Sequence, residues 1–218
     1  MKIYLIRSKF AWSSLCLAIL IASCSVMQRE TFVDDSFLTG LPCSAPCWQG
    51  LELDISNKSD VLAKLQELPF VDQRSIREYG TPWMDDDNAV GIRFNCTFSN
   101  GLCGEFKLSN DKLKNMYFTI EFSLTFGEVV KMLGKPDYIT TGVCQPEKPD
   151  CTVGLNWPEK EIFVGTHGYD VDLCTAMENG FKIPPETKVT DIAYSVKEAF
   201  MPVEGSCLQQ LLWPGFLP

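Results

Sequence analysis

The sequence predicts an α+β fold of two tandem units, each a short helix followed by four strands of an antiparallel sheet, with disulfides stapling the loops. Three observations lead to it: a helix-like segment that recurs at an offset of 68 residues, a strand-like segment that recurs at an offset of 76, and a set of cysteines that can all pair. With 218 residues, 45% of them hydrophobic, the chain can bury one good core or two small ones.

The first element is a leader. Met1 to Lys9 carries Lys2, Arg7 and Lys9 and no acid, Phe10 to Ala22 is an apolar run of 13 residues, and small residues follow at Ala22 and Ser23. This is signal-peptide anatomy over residues 1–23, and the apolar run is shorter than the roughly 18–20 residues a bilayer-spanning helix needs. Ile21-Ala22-Ser23-Cys24 resembles the lipobox of bacterial lipoproteins, which implies cleavage before Cys24 and lipidation of its thiol. The expected product is exported and anchored to the outer face of the cell membrane or to the cell envelope. Loss of the leader takes the formal charge from −9 to −12. So acidic a chain has no electrostatic footprint for nucleic acid, and its membrane contact is expected through the lipid anchor only.

Residues 24–41, the lipidated Cys and a polar, acidic stretch without sustained periodicity, read as a tether. The first αβ unit is expected over 42–122. Asn57-Lys-Ser-Asp-Val-Leu-Ala-Lys-Leu65 opens on a side chain that can cap a helix, with Asp60 three residues on. Val61, Leu62, Leu65 and Leu68 share one face. Strands are expected at Val71 to Tyr79, Ala89 to Cys96, Cys103 to Leu108 and Lys112 to Ile120, from their alternation and β-branched or aromatic content.

The second unit is expected over 123–207. Thr125 and Glu128 form a capping box, Phe126, Val129, Val130 and Leu133 make the apolar face, and Gly134 with Pro136 supplies the stop. Strands are expected at Asp137 to Val143, Thr152 to Trp157, Glu161 to Thr166 and Lys188 to Val196, the last echoing Lys112 to Ile120. The tail, 208–218, contains Leu208 to Trp213, read as one or two helical turns that lid the core or, if exposed, dock a partner.

Residues 123–137 resemble the helix and Gly-Lys-Pro turn of small outer-membrane-assembly lipoproteins and of the tandem repeats in β-lactamase-inhibitor-protein-like domains. The first unit has Gln66-Glu-Leu-Pro69 at the corresponding turn. Pro42-Cys-Ser-Ala-Pro-Cys-Trp-Gln-Gly50 resembles the Cys-x-x-x-Cys-Trp-x-Gly start of an uncharacterised group of bacterial lipoproteins. The resemblance implies action by binding proteins.

Of the ten cysteines, Cys16 leaves with the leader and Cys24 is taken by lipid. Cys43, Cys47, Cys96, Cys103, Cys144, Cys151, Cys174 and Cys207 remain, an even set suited to an oxidising compartment. Six residues separate Cys96 from Cys103 and Cys144 from Cys151, so local pairing is expected for both. A two-residue Asn100-Gly101 hairpin would place Cys96 opposite Glu105, out of disulfide reach. A four-residue loop, Phe98 to Gly101, is therefore expected. Cys43 with Cys47 would close a small loop, and Cys174 with Cys207 would tie back the tail. A Cys43–Cys47 redox pair and a zinc site are both disfavoured by spacing and compartment.

Catalytic motifs are scarce. One histidine, His167, sits just after a predicted strand with no motif-placed Ser or Cys partner. Neither common Gly-rich phosphate loop nor His-Glu-x-x-His occurs, so no cofactor and no metal site is expected. Asp85-Asp86-Asp87-Asn88 lacks the Gly and distant Glu of a calcium-binding loop and reads as a solvated hairpin tip. Trp83 and Met84 on that tip, and Trp48, are the candidate binding residues, because exposed aromatics beside acids serve as protein-docking anchors. The expectation is an exported, lipid-anchored protein-binding or envelope-assembly module without catalysis, its protein partner unspecified. The alternative is a secreted hydrolase using paired carboxylates in a cleft between the units, which requires a buried acid of raised pKa beside a second carboxylate.

Overall fold

Local side-chain chemistry starts both main helices. In the computed structural model, which describes residues 36–81, 86–97, 101–120, 123–143, 151–168, 180, 182–200 and 209–216, Asn57 caps a helix over Lys58–Glu67. At residues 38, 151, 167, 168 and 209 only the backbone is described. The Asn57 side chain accepts from the amides of Ser59 (2.8 Å) and Asp60 (3.1 Å), while Asp60 accepts from the Asn57 amide (2.9 Å). The first helix thus also carries a complete capping box, the shorter Asp reaching back as well as a Glu does. The second box is the expected one: Thr125 accepts from the Glu128 amide (3.3 Å) and Glu128 from the Thr125 amide (2.9 Å), opening a helix over Phe126–Leu133. Gly134, at φ +83°, ends it.

Counting the short turn at Ser36–Thr39 as α1, these helices are α2 and α3. The strands are β1 (Arg77–Gly80), β2 (Val90–Asn95), β3 (Leu102–Ser109), β4 (Lys112–Thr119), β5 (Tyr138–Val143), β6 (Cys151–Trp157), β7 (Ile162–Gly168), β8 (Asp191–Ser195) and β9 (Gln209–Leu212). All lie in one sheet of order β1-β2-β3-β4-β8-β7-β6-β5-β9, every neighbouring pair antiparallel. The fold is α+β with an antiparallel sheet. Among the described residues no helix is long and apolar enough to cross a membrane.

Two segments differ from expectation. Val71 to Tyr79 is not one strand. Asp72 accepts from the Arg74 amide and drives a 3₁₀ turn over Gln73–Ser75, so β1 begins only at Arg77. The tail forms β9 instead of helical turns, because its backbone pairs with β5 (Tyr138 with Leu212, Thr141 with Gln209). Beyond β9, Trp213 and Phe216 meet edge to face at 5.0 Å and pack on the core, and Phe216 bridges Ile183. The lid reading of the tail is the one this packing matches.

Alternation along each strand sends one set of side chains into a single hydrophobic cluster. Ile92 and Phe94 of β2, Phe106 and Leu108 of β3, Met116 of β4, Ile192 and Tyr194 of β8, Val164 of β7 and Leu155 of β6 meet Val61 and Leu65 of α2 and Phe126 and Val129 of α3. Burial of each such side chain contributes on the order of 1.5–3 kcal/mol. The helices therefore occupy one face of the sheet.

Candidate functional site

The other face carries the intervening residues. Register aligns Arg93, Glu105, Tyr117, Ala193, Phe163, Asn156 and Tyr138 in one row across seven strands. Thr119, Asp191, Gly165, Gly154 and Thr140 form the next.

At the β1–β3 end, the Arg93 guanidinium lies 4.1 Å from the centre of the Tyr79 ring, a cation–π contact. Arg93 also approaches Glu105 at 3.4 Å, and Lys107 approaches the same carboxylate at 3.8 Å. The Tyr79 ring is laid over Gly91, where a β-carbon would come within 2.3 Å of it. Phe163 does the same in the other half, over Gly154 and Gly165. In both places an aromatic ring fills the gap that a strand glycine leaves in the pleat.

Between the two rings lies the most buried carboxylate of this face. Asp191 is 2% exposed. It accepts a hydrogen bond from the Tyr117 hydroxyl and one from Thr190 Oγ1 at 2.7 Å. Burial pushes the Tyr117 phenol well above its ordinary value, and the hydrogen bond to Asp191 with that carboxylate's charge pushes it further. The pair is an acceptor held by hydroxyls, and chemically it orders the seam between β4 and β8. Sequence reading gave both residues strand positions but no role, since their separation of 74 residues hides the pairing.

At the β5–β9 end the face is partly occupied. The Tyr138 hydroxyl donates to the Phe200 carbonyl at 3.0 Å, and the Gln210 amide donates to the same oxygen. Tyr138 and Gln210 both belong to this face by register, so the end of the Lys197–Phe200 turn lies against it there. The β1–β4 half is where its side chains face water: Arg93 is exposed and Lys107, Asn115 and Tyr117 are half-buried.

Trp48, expected as a binding residue, is corrected to a core residue. It is 2% exposed, with the rings of Phe118 (4.8 Å), Phe106 (5.5 Å), Phe70 and Phe94 (both 6.4 Å) around it. The cause is a two-residue turn: Gln49 and Gly50 both have positive φ, Trp48 and Leu51 exchange backbone hydrogen bonds of 2.9 and 2.8 Å, and the indole turns inward. Cys43 and Cys47 form the expected disulfide just before it, with Cα atoms 5.7 Å apart. Cys96 and Cys103 are also bonded, Cα atoms 5.3 Å apart, and Glu105 faces Arg93, not Cys96.

Trp83, Met84, Asp85, Cys24, Cys144, Cys174 and Cys207 lie outside the described residues, as does the Cys151 side chain. Asp86 is not merely solvated. Its carboxylate accepts from the Ser109 hydroxyl (2.7 Å) and from the amides of Asn88 (2.9 Å) and Asn110 (3.3 Å). These bonds, the Ser109 one foremost, hold its acid below the usual range and tie the β1–β2 connection to the β3–β4 turn. His167 lies within β7, opposite Thr152.

One further acid departs from its ordinary value. Glu161, in the left-handed region at φ +57°, has its acid raised by burial first and then by the charges of Asp54 and Glu198. Among the described residues no cluster of three or more His, Cys, Asp or Glu side chains is arranged to hold a metal. Compared with family models, with curated proteins and with solved structures, the chain has no significant match.

Proposed function

We propose that the protein is an exported, lipid-anchored module of the cell envelope that binds or assembles a protein partner and catalyses no reaction. The observation that carries this reading is the division of the sheet into two unlike faces. One is sealed by α2, α3 and the Trp48 plug. The other offers, in its β1–β4 half, a stacked Arg93–Tyr79 pair, Glu105 and the Tyr117 ring. Arginine and tyrosine on a rigid strand scaffold are the residue types that dominate protein-docking energetics.

The tandem organisation belongs to the same proposal. The described elements run α2 then β1 to β4, and α3 then β5 to β8. The strand order is mirrored about β4 and β8, and Tyr117 faces Ala193, the position 76 residues on in the strand echo. Equivalent positions of two related strands meet across an antiparallel seam in this way when two copies of one unit pack by a two-fold rotation. The small outer-membrane-assembly and β-lactamase-inhibitor-protein-like resemblance points the same way. Trp83 and Met84, which lie outside the described residues, remain proposed anchors.

A photoreactive residue at position 93 of the full chain, expressed in its own envelope, is expected to capture a protein partner, and Arg93→Glu to prevent co-purification of that partner while thermal unfolding is unchanged. No capture would reject the binding reading. For the anchor, intact mass from the membrane fraction should begin at acylated Cys24 and show eight thiols only after reduction; a Cys24→Ala chain that stays in membranes would reject it.

Hydrolysis through carboxylates is the second reading, and the acid that bears on it is Glu161, raised by burial and by the charges of Asp54 and Glu198. Turnover of a glycoside panel that disappears in Glu161→Gln would support it; no turnover by the parent chain would remove it.

A further inference from the structure

The two edges of the sheet are built on opposite plans. At one edge, Arg77 and Glu78 of β1 put a charge on each face of the strand, and Arg77 folds back so that its guanidinium donates to the carbonyls of Arg74 (2.7 Å) and Ile76 (2.8 Å). Charged, self-occupied edges of this kind keep another strand from adding on. At the other edge, β9 reads Gln209-Gln-Leu-Leu212, with no charge, no proline and no register shift against β5. Leu212 is 86% exposed. From Gly205 through Pro218 no side chain carries a charge, in a chain whose formal charge is −9.

An antiparallel strand uses alternate N–H and C=O groups on each side. Pairing with β5 takes those on one side of β9, and among the described residues β9 is last in the strand order, so the other set points away from the sheet. The strand is also held in place for pairing: the Gln210 side chain is tied to the Phe200 carbonyl, and Leu211, Trp213 and Phe216 pack on the core.

We infer that β9 is a dimerisation edge, pairing antiparallel with β9 of a second copy of this chain about a two-fold axis, so that two sheets run on as one. The charge distribution selects a second copy as the occupant. Two chains this acidic repel one another wherever their charged surfaces meet. An uncharged edge lets like meet like without juxtaposing acids, and a two-fold contact needs only one such surface, since each copy supplies the same strand. This inference is independent of the protein-binding reading of the helix-free face.

The test uses the full chain co-expressed with two different affinity tags, carrying a photoreactive amino acid at Leu212 or, for comparison, at Glu78 on the opposite edge. The expected result is a cross-linked product of twice the chain mass that contains both tags, formed from position 212 and not from position 78. Leu212→Lys, at a site exposed enough to leave folding and thermal unfolding unchanged, is expected to lower co-purification of the two tags at least tenfold. The inference is overturned if position 212 links to nothing or only to a different protein, if position 78 gives the double-mass product instead, or if Leu212→Lys co-purifies as well as the parent.

Discussion

The hydroxyl of Tyr117 on β4 donates to the buried carboxylate of Asp191 on β8, across the seam at which the two halves of the sheet meet. Removing the donor leaves a buried acceptor with one hydroxyl fewer, and such a loss costs about 1–3 kcal/mol. Tyr117→Phe is therefore expected to destabilise the protein by that amount in denaturant unfolding at pH 7. The phenol is raised in the folded state, so the folded chain resists its ionisation while the unfolded chain does not. Stability from this group is complete below about pH 10 and is lost as pH rises beyond that value. The alkaline loss should be smaller in Tyr117→Phe, and an identical alkaline profile would remove the pairing from the account.

Trp48→Ala should be among the most damaging single changes, costing about 3–5 kcal/mol, because it empties a site surrounded by four aromatic rings. Chemical denaturation monitored by near-ultraviolet circular dichroism measures it. A loss below about 1 kcal/mol would return Trp48 to the list of surface residues.

Gly154→Ala sets a β-carbon 2.0 Å from the Phe163 ring as it now lies, so the ring must leave Gly154 and Gly165. Overpacking of this sort costs about 1–3 kcal/mol. The companion change Phe163→Ala in the same chain should recover part of that cost, and strictly additive losses in the double variant would mean that the two positions do not interact.

Glu161 tests the sign of an electrostatic contribution. Its acid is raised in the folded chain, so the folded state holds its proton more tightly than the unfolded one, and stability falls as pH rises from the ordinary glutamate value through the raised one. Glu161→Gln abolishes that fall: the variant should match the parent below about pH 4 and exceed it at pH 7 by a few tenths of a kcal/mol, roughly the scale of solvent-screened charges. Lower stability of the variant at pH 7 would show that the carboxylate is favourably engaged.

Much of the local structure was legible in the sequence. Cap residues and apolar spacing located α2 and α3, and alternation located β2 to β8 within a few residues. β9 was not legible, because Gln-Gln-Leu-Leu has neither β-branching nor alternation and becomes a strand only through β5. Trp48 was misplaced for a related reason. An indole between Pro46 and Gly50 looks like loop surface until the positive φ of Gln49 and Gly50 folds it inward. The Tyr117–Asp191 contact was silent because nothing in either strand announces its neighbour; only the strand order brings β4 beside β8. The 76-residue echo relates Tyr117 to Ala193, and those two residues face one another across the β4–β8 pairing.

The Trp48 turn also has a mechanical meaning. Tension arriving from residues ahead of Cys43 meets, after the Phe37 ring stacked on Tyr194, a loop closed by the Cys43–Cys47 bond, which does not lengthen, and then a two-residue turn whose indole is wedged among four rings. The pull is thereby delivered to the interior of the molecule and not to the backbone bonds of β1, the strand an edgewise load would peel first. Along the chain, the indole has to leave the rings of Phe70, Phe94, Phe106 and Phe118 before the pull reaches α2.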